Sequence, residues 1–431
     1  MFFDKYWRED ITSMVLRDRN HPSVVMWSTG NELFERRGRS NGYALARETA
    51  DFIRNLDSTR PITNALQKFG EDDHLWGLFE PVTDDVWGDI TKKFCEPLDV
   101  TGYNYLPDRL EPDGRKYPER VIAATETFPR SAFDGWEIVE RCPHVIGDFV
   151  WTALDYLGEA GIGHVLYDCE KTFFGGYPWH QAFCGDIDIC GFRRPQSYYR
   201  DFVWGNENVP YIAVYKPENH GKTPVISDWG WSDVINSWSF PGFEGKPVKI
   251  DVYSCGSEVE LSLNGKSLGK KPAGKENKYI AKFETQYEPG ELIAVTYENG
   301  EEKCRSSLKS ASVPVSIRLT PDRVNIDASY GDLSFVTVEL VDKDGNIVHY
   351  ANNNIYFSGS GAGSLIAVGS GNPKSEEMYT GSLRRVHEGR AMVVVRANGE
   401  PGKIVLRAAS EGIPAAETVI NAKAKEREEQ K

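Results

Sequence analysis

Two glutamates stand where apolar runs give way to polar residues, and that placement makes them the first candidates for chemistry. Ser23–Thr29 is a continuous apolar and β-branched run ending in Gly30-Asn31-Glu32, and Val121–Thr125 ends in Glu126. Two carboxylates facing one cleft can divide labour. One protonates a leaving oxygen and later deprotonates water, while the other attacks as a nucleophile. Hydrolysis of a glycosidic bond uses such a pair, and a separation of ~5 Å gives retention of configuration. Position alone is permissive, because many strand-end glutamates are simply solvated.

To act together, these residues need strands whose C-terminal ends share a face. Further runs that suit buried strands are 61–66, 98–103 and 145–151, and a helical pattern crosses Tyr43–Leu56 with Leu45, Phe52, Ile53 and Leu56 on one side. Five runs buried on both faces and separated by helices or long loops read as a parallel βα array. Polar or aromatic residues follow each strand end: Asn31-Glu32, Asn104-Tyr105, Glu126 and Trp151. In a (β/α)8 barrel that is the face on which active sites are built.

Beyond Pro210 the pattern becomes short alternating strands. Val259, Leu261 and Leu263 alternate into Asn264-Gly265, and Val336, Val338 and Leu340 precede Asp344-Gly345. A Pro-bounded joint at Ala311-Ser312-Val313-Pro314 separates two such regions. The expected organisation is 1–212 as a catalytic βα domain, 213–311 and 312–421 as two β-sandwiches, and 422–431 as a charged tail.

Composition narrows the partners. The 431 residues carry 50 basic and 64 acidic side chains, a formal charge of −14, with 40% apolar residues and 11 Trp. An acidic surplus argues against nucleic acid or an anionic membrane surface, and no run approaches the ~20 apolar residues of a membrane helix. The seven cysteines are scattered and form no C-x-x-C pair, so they read as buried thiols rather than as a metal or disulfide framework. Asp342–Asn346 has a Gly at the wrong position for a calcium loop and reads as a hairpin turn. Neither a metal nor an organic cofactor is expected. The first ten residues lack the apolar core of a secretory signal, which leaves the compartment open, with periplasm or cell exterior plausible for a longer relative.

Local strings sharpen the picture. The sixteen residues Arg17–Glu32, RDRNHPSVVMWSTGNE, closely resemble the acid/base signature of glycoside hydrolase family 2, the group of β-galactosidases, β-glucuronidases and β-mannosidases. Ala124–Pro129 (ATETFP) is similar to the nucleophile segment of its β-galactosidase-like members, Gly147–Glu159 to their final barrel strand, and 177–200 to the segment closing the barrel. The resemblance implies a multidomain α/β plus all-β chain: a partial TIM barrel, strands 4–8, followed by two immunoglobulin-like sandwiches.

The same resemblance implies roles. Glu32 would be the general acid/base and Glu126 the nucleophile, with Asn31 on the sugar 2-hydroxyl. Tyr105, following Asn104, would hold the nucleophile, and Trp151 would floor the reacting-sugar subsite. Tyr105 and Trp151 also suit barrel packing, and Trp179 and His180 either line the site or pack. Cys184–Asp188 offers no Lys where glucuronidases hold a carboxylate, which favours a neutral sugar, most simply galactose. Asn264-Gly265-Lys266 lies in a hairpin and is not counted as such a pair.

Only about twenty residues precede the expected fourth strand, so strands one to three are missing from the pattern. Three readings follow: a β-galactosidase-like hydrolase represented by its C-terminal part, a split enzyme whose missing half is supplied by another chain, or a non-catalytic fragment whose sandwiches bind polysaccharide or act as scaffold. The expected partner is a β-linked oligo- or polysaccharide.

Overall fold

The computed structural model describes residues 2–67 and 84–424. The expected charged tail at 422–431 lies outside the described residues from 425 onward. The chain divides into two compact units, Met1–Thr152 and Ala153–Lys431.

The first unit alternates helix and strand: α1 (Phe3–Asp18), β1 (Trp27–Asn31), α2 (Gly42–Leu56), β2 (Ile62–Leu66), α3 (Asp84–Cys95), β3 (Val100–Asn104), α4 (Pro107–Lys116), β4 (Ile122–Thr127), α5 (Ala132–Arg141) and β5 (Val145–Val150). The five strands form one sheet in sequence order, each pairing with its neighbour in parallel. This is the arrangement of consecutive βα units in a barrel.

Burial follows position in the sheet. Every residue of β2 and β3 is buried. The edge strands differ from the expected burial on both faces: on β5, Ile146 and Phe149 are each 52% exposed. In α2 the buried residues Ala46, Thr49, Ala50 and Ile53 recur at helical spacing and press against the sheet. Ile53 and Ile62 join Val15 and Trp27 in one cluster, and Leu66, Phe94, Tyr103 and Ile122 belong to another. Truncating a fully buried side chain such as Leu66 to Ala costs about 2–5 kcal/mol.

The first strand begins later than the run Ser23–Thr29 suggests, and it extends through Asn31. The Arg60 guanidinium explains the offset. It donates to the Val24 carbonyl at 2.6 Å and to the His21 carbonyl at 3.3 Å, so a side chain satisfies carbonyls that a ladder would otherwise use. Val25 in this stretch is 68% exposed. Arg60 is itself fixed by Asp57 at 2.8 Å. Asp57 also accepts from Trp27 Nε1 at 2.9 Å, Thr59 N at 2.9 Å and Thr59 Oγ1 at 2.5 Å. The Thr59 hydroxyl above all, with these other donors, holds its carboxyl well below the usual range despite its burial.

The second unit holds two β-sandwiches. In the first, a sheet ordered 280–286, 247–253, 211–215 and 234–235 belongs with one ordered 266–272, 258–263, 291–298 and 301–309. Their shared core contains Trp238, Ile250, Leu261 and Phe283. Asn264 and Gly265 have φ of 51° and 77°, the positive values that a two-residue hairpin turn requires. The second sandwich combines a four-stranded and a five-stranded sheet between 316 and 423 around Val336, Ile355, Val393 and Leu406. Asp342 accepts from the backbone N–H groups of Ser312, Asp344 and Asn346, so it closes a turn. In the segment preceding the first sandwich, Val165–Tyr167 pairs with Pro224–Ile226, and this pairing belongs to the second unit.

Candidate active site

At the C-terminal ends of β1, β3 and β4 the expected residues form a connected polar group. Asn104, 1% exposed at the end of β3, is its centre. Its Nδ2 donates to Asn31 Oδ1 at 3.0 Å and to Glu32 Oε1 at 3.0 Å. Its Oδ1 accepts from Thr125 Oγ1 at 2.7 Å. The threonine thus fixes which way the amide points, because the oxygen is already engaged and the NH2 must face the two acceptors. Since Asn31 Oδ1 accepts from Asn104, the amide hydrogens of Asn31 point elsewhere.

Glu126 enters through register. Asn104 and Glu126 are partners in the β3–β4 ladder, and the Tyr105 N–H donates to the Glu126 carbonyl at 2.8 Å. Glu32 arrives from β1 and touches a side chain of β3, passing over β2. Its carbonyl accepts from Gln67 Nε2 at 3.3 Å, and its N–H donates to the Ala65 carbonyl at 2.8 Å. The Glu32 carboxylate therefore meets a side chain of β3, the neighbour of the strand that carries Glu126.

Two backbones here are held in the left-handed region: Glu32 at φ 54° and Tyr105 at φ 53°. Neither is Gly, and such conformations cost ~1–3 kcal/mol and persist only when surrounding contacts impose them. Both sit one residue past a strand, where the chain must turn its side chain over the sheet edge. Gly102 relieves crowding beneath them. A Cβ there would lie 2.8 Å from both the Asn64 carbonyl and Thr125, so only Gly lets β3 pass between them.

The remaining expected residues divide between the units. Tyr105 stacks on Phe128 with ring centroids 4.5 Å apart. The Trp151 N–H donates to the Thr127 carbonyl at 3.0 Å, which ties it to the end of β4, and the Trp151–Thr152 peptide is cis. Trp179 and His180 belong to the second unit. Trp179 is 9% exposed, with Phe183 edge-on at 5.4 Å and Lys374 Nζ 4.7 Å from its ring centroid. His180 Nε2 lies 3.0 Å from the Tyr379 hydroxyl, and the His180 backbone N–H donates to the Pro373 carbonyl at 3.0 Å. These contacts are packing and tethering.

Thr125, Gln67 and Asn64 were not among the sequence candidates. Asn64 Nδ2 donates to Thr29 Oγ1 at 3.0 Å, joining β2 to β1. Gln67 follows the last residue of β2, so the strand-end rule that singled out Asn31, Asn104 and Glu126 applies to it equally.

Below the group, β3 is anchored by a buried polar cluster. Tyr103 Oη donates to Asp113 Oδ2 at 2.6 Å and accepts from Arg120 at 3.0 Å, while Arg109 pairs with the same carboxylate. Burial pushes the Tyr103 phenol well up, so it stays protonated as a donor.

Parts of the chain match known protein families. Residues 3–89 match the family described as Glycosyl hydrolases family 2, TIM barrel domain, and 317–419 match Glycoside hydrolase family 2 C-terminal domain 5. Residues 245–304 match a domain of unknown function, DUF4982. A solved structure of a glycosyl hydrolase family 2 member from Bacteroides cellulosilyticus shares 39% identity at a TM-score of 0.86, covering 98% of this chain and 52% of that one. Among curated relatives, beta-galactosidase BoGH2A of Bacteroides ovatus is 28% identical over 98% of this chain and 52% of its own length. A putative beta-glucuronidase of Formosa agariphila is 28% identical over 93% of this chain and 38% of its own. The chain therefore spans about half the length, or less, of these relatives, and corresponds to their C-terminal portion. It belongs to glycoside hydrolase family 2.

Proposed function

We propose that this chain carries the two catalytic glutamates of a retaining glycosidase that hydrolyses terminal β-galactosides of oligo- or polysaccharides. The observation that carries the reading is the Asn104 bridge. One buried amide holds both Asn31 and Glu32, and its own ladder partner is Glu126. This draws the acid from β1 toward β4, the strand that carries Glu126, and a double displacement needs the two carboxylates ~5 Å apart.

In this mechanism Glu32 protonates the glycosidic oxygen as the C1–O bond breaks, and the Glu126 carboxylate attacks C1 to form a covalent glycosyl ester. Glu32, now ionised, takes a proton from water as that water attacks C1. The sugar is released and Glu126 returns as a carboxylate. Asn31, its oxygen engaged by Asn104, directs its N–H toward the sugar 2-hydroxyl, a contact that strengthens in the oxocarbenium-like transition state. The absence of Lys from Cys184–Asp188 supports a neutral sugar over a glucuronide.

The sheet carries five strands in the described residues, and β1 and β5 each pair on one side only. We infer that the missing strands come from a preceding or separate polypeptide. The test is an aryl β-galactoside assay of the chain alone and of the chain joined to the preceding portion of a relative. The expected result is background turnover alone and robust turnover when joined. Robust turnover by the chain alone, abolished in Glu126→Gln, overturns the need for a second part. Turnover of an aryl β-glucuronide but not the galactoside by the joined form overturns the sugar assignment.

A further inference from the structure

The second unit contains a cavity of about 350 Å³, within the size range of small-ligand sites. Its wall is supplied by the segment 179–198, by the first sandwich and by two loops of the second sandwich, 371–374 and 387–390.

The charges on this wall are unevenly satisfied. Lys216 Nζ lies 3.1 Å from Asp233 and 3.4 Å from Glu388, so those three form a closed triad. Arg194 and Lys374 make no ion pair among the described residues. Arg194 Nη1 donates only to the Phe183 and Gly185 carbonyls, at 2.9 and 3.1 Å, and Lys374 is exposed above the Trp179 ring. The His387 ring has no hydrogen-bond partner among the described residues. Burial lowers its pKa against the opposing pull of Glu388, with Lys216 and Arg194 adding to the lowering, which favours a neutral imidazole with one donor and one acceptor nitrogen. Beside these polar groups lies the Phe192 ring, with the Arg390 guanidinium 5.3 Å from its centroid, whereas the Tyr198 ring is covered by Tyr211, stacked at 4.3 Å, and by Arg193 at 4.1 Å.

We propose that this cavity is a saccharide-binding site that takes a neutral pyranose unit of the glycan. A pyranose offers hydroxyls that both donate and accept, and C–H faces that pack on aromatic rings. The wall supplies donors at Arg194 and Lys374, both functions at His387, and the Phe192 ring beside them. An inorganic anion would use only donors and would leave the acceptor nitrogen of His387 without a partner. A flat apolar ligand would bury charges without partners. The identification of the ligand as a glycan rests on the function proposed above; the site itself rests on the cavity.

The test uses the full chain carrying Glu126→Gln, which removes the proposed nucleophile, titrated calorimetrically with β-1,4-galactotetraose. Loss of two polar contacts in the double variant Lys374→Ala/His387→Ala is expected to weaken binding by about tenfold or more, while Lys343→Ala, at an exposed turn away from the cavity wall, leaves this affinity within twofold. Lys374→Ala alone, at an exposed position, is expected to keep the melting temperature and to show part of the loss. Unchanged affinity in both cavity variants overturns the proposal, as does displacement of the tetraose by sodium sulfate. If the tetraose fails to bind while the joined enzyme still hydrolyses an aryl β-galactoside, the cavity proposal falls and the proposed function stands. If binding behaves as expected but the joined enzyme hydrolyses no galactoside, only the function reading falls.

Discussion

Asn104 Nδ2 donates to Glu32 Oε1 at 3.0 Å, although the two residues belong to strands separated by β2. The contact converts a strand-end glutamate into a positioned one. A solvated carboxylate would sample several rotamers, whereas this one is held by an amide whose orientation is set by Thr125.

Replacing that amide with a carboxylate tests what it does for the acid. In Asn104→Asp a negative charge faces Glu32 where a donor stood, and a like charge favours the protonated form of Glu32. The basic limb of the kcat/KM pH profile of the joined enzyme reports the acid. It is expected to move upward by about one unit, with activity reduced about tenfold or more. An unmoved basic limb contradicts the acid role of Glu32.

Glu32→Gln removes proton donation but leaves the nucleophile. The expected signature is selective: turnover of a substrate with a poor leaving group falls by about 10²–10⁴, and an activated aryl galactoside loses much less in the first step. Equal losses on both substrates would assign Glu32 to something other than acid catalysis.

The positive φ at Glu32 gives a stability prediction independent of activity. Glu32→Ala and Glu32→Gly both delete the carboxylate, but only Gly accepts φ 54° without strain. Chemical denaturation is expected to find the Gly variant more stable than the Ala variant by ~1 kcal/mol. In an ordinary strand position the order would be reversed.

Asp57 should make the stability of the first unit acid-sensitive. Its folded pKa is held below the ordinary value, so its contribution is fully present above the unfolded value of about 3.9 and is lost as pH falls below that toward the folded value. Asp57→Ala leaves Trp27 Nε1 and Arg60 without their acceptor and is expected to cost about 2–4 kcal/mol at pH 7. The gap between the parent and Asp57→Ala should narrow at pH 3 in urea melts. A gap independent of pH would mean that the carboxylate charge is not what holds Trp27 and Arg60.

Much of this architecture was legible in the residues. The strand-like runs of β2 and β3 are buried throughout, as expected of central strands, and Asn264-Gly265 makes the hairpin its dipeptide encodes. Where the reading slipped, long-range contacts intervened. Arg60 captures the carbonyls of His21 and Val24, which shortens the start of β1, and no local pattern announces that. The edge position of β5 exposes Ile146 and Phe149, which a run of apolar letters cannot distinguish from a central strand. Thr125 and Gln67 matter through single hydrogen bonds across strands, so their roles emerge only once register is known. For Trp179 the sequence leaves sugar lining and packing open, and the structure adds its contacts with Phe183 and Lys374.

The most direct test of the two-glutamate account is covalent trapping. The joined enzyme, treated with a 2-deoxy-2-fluoro-β-galactosyl donor bearing an activated leaving group, should accumulate a glycosyl ester that peptide mass spectrometry places on Glu126. Label on any other residue, or turnover without a trapped adduct, would contradict the account.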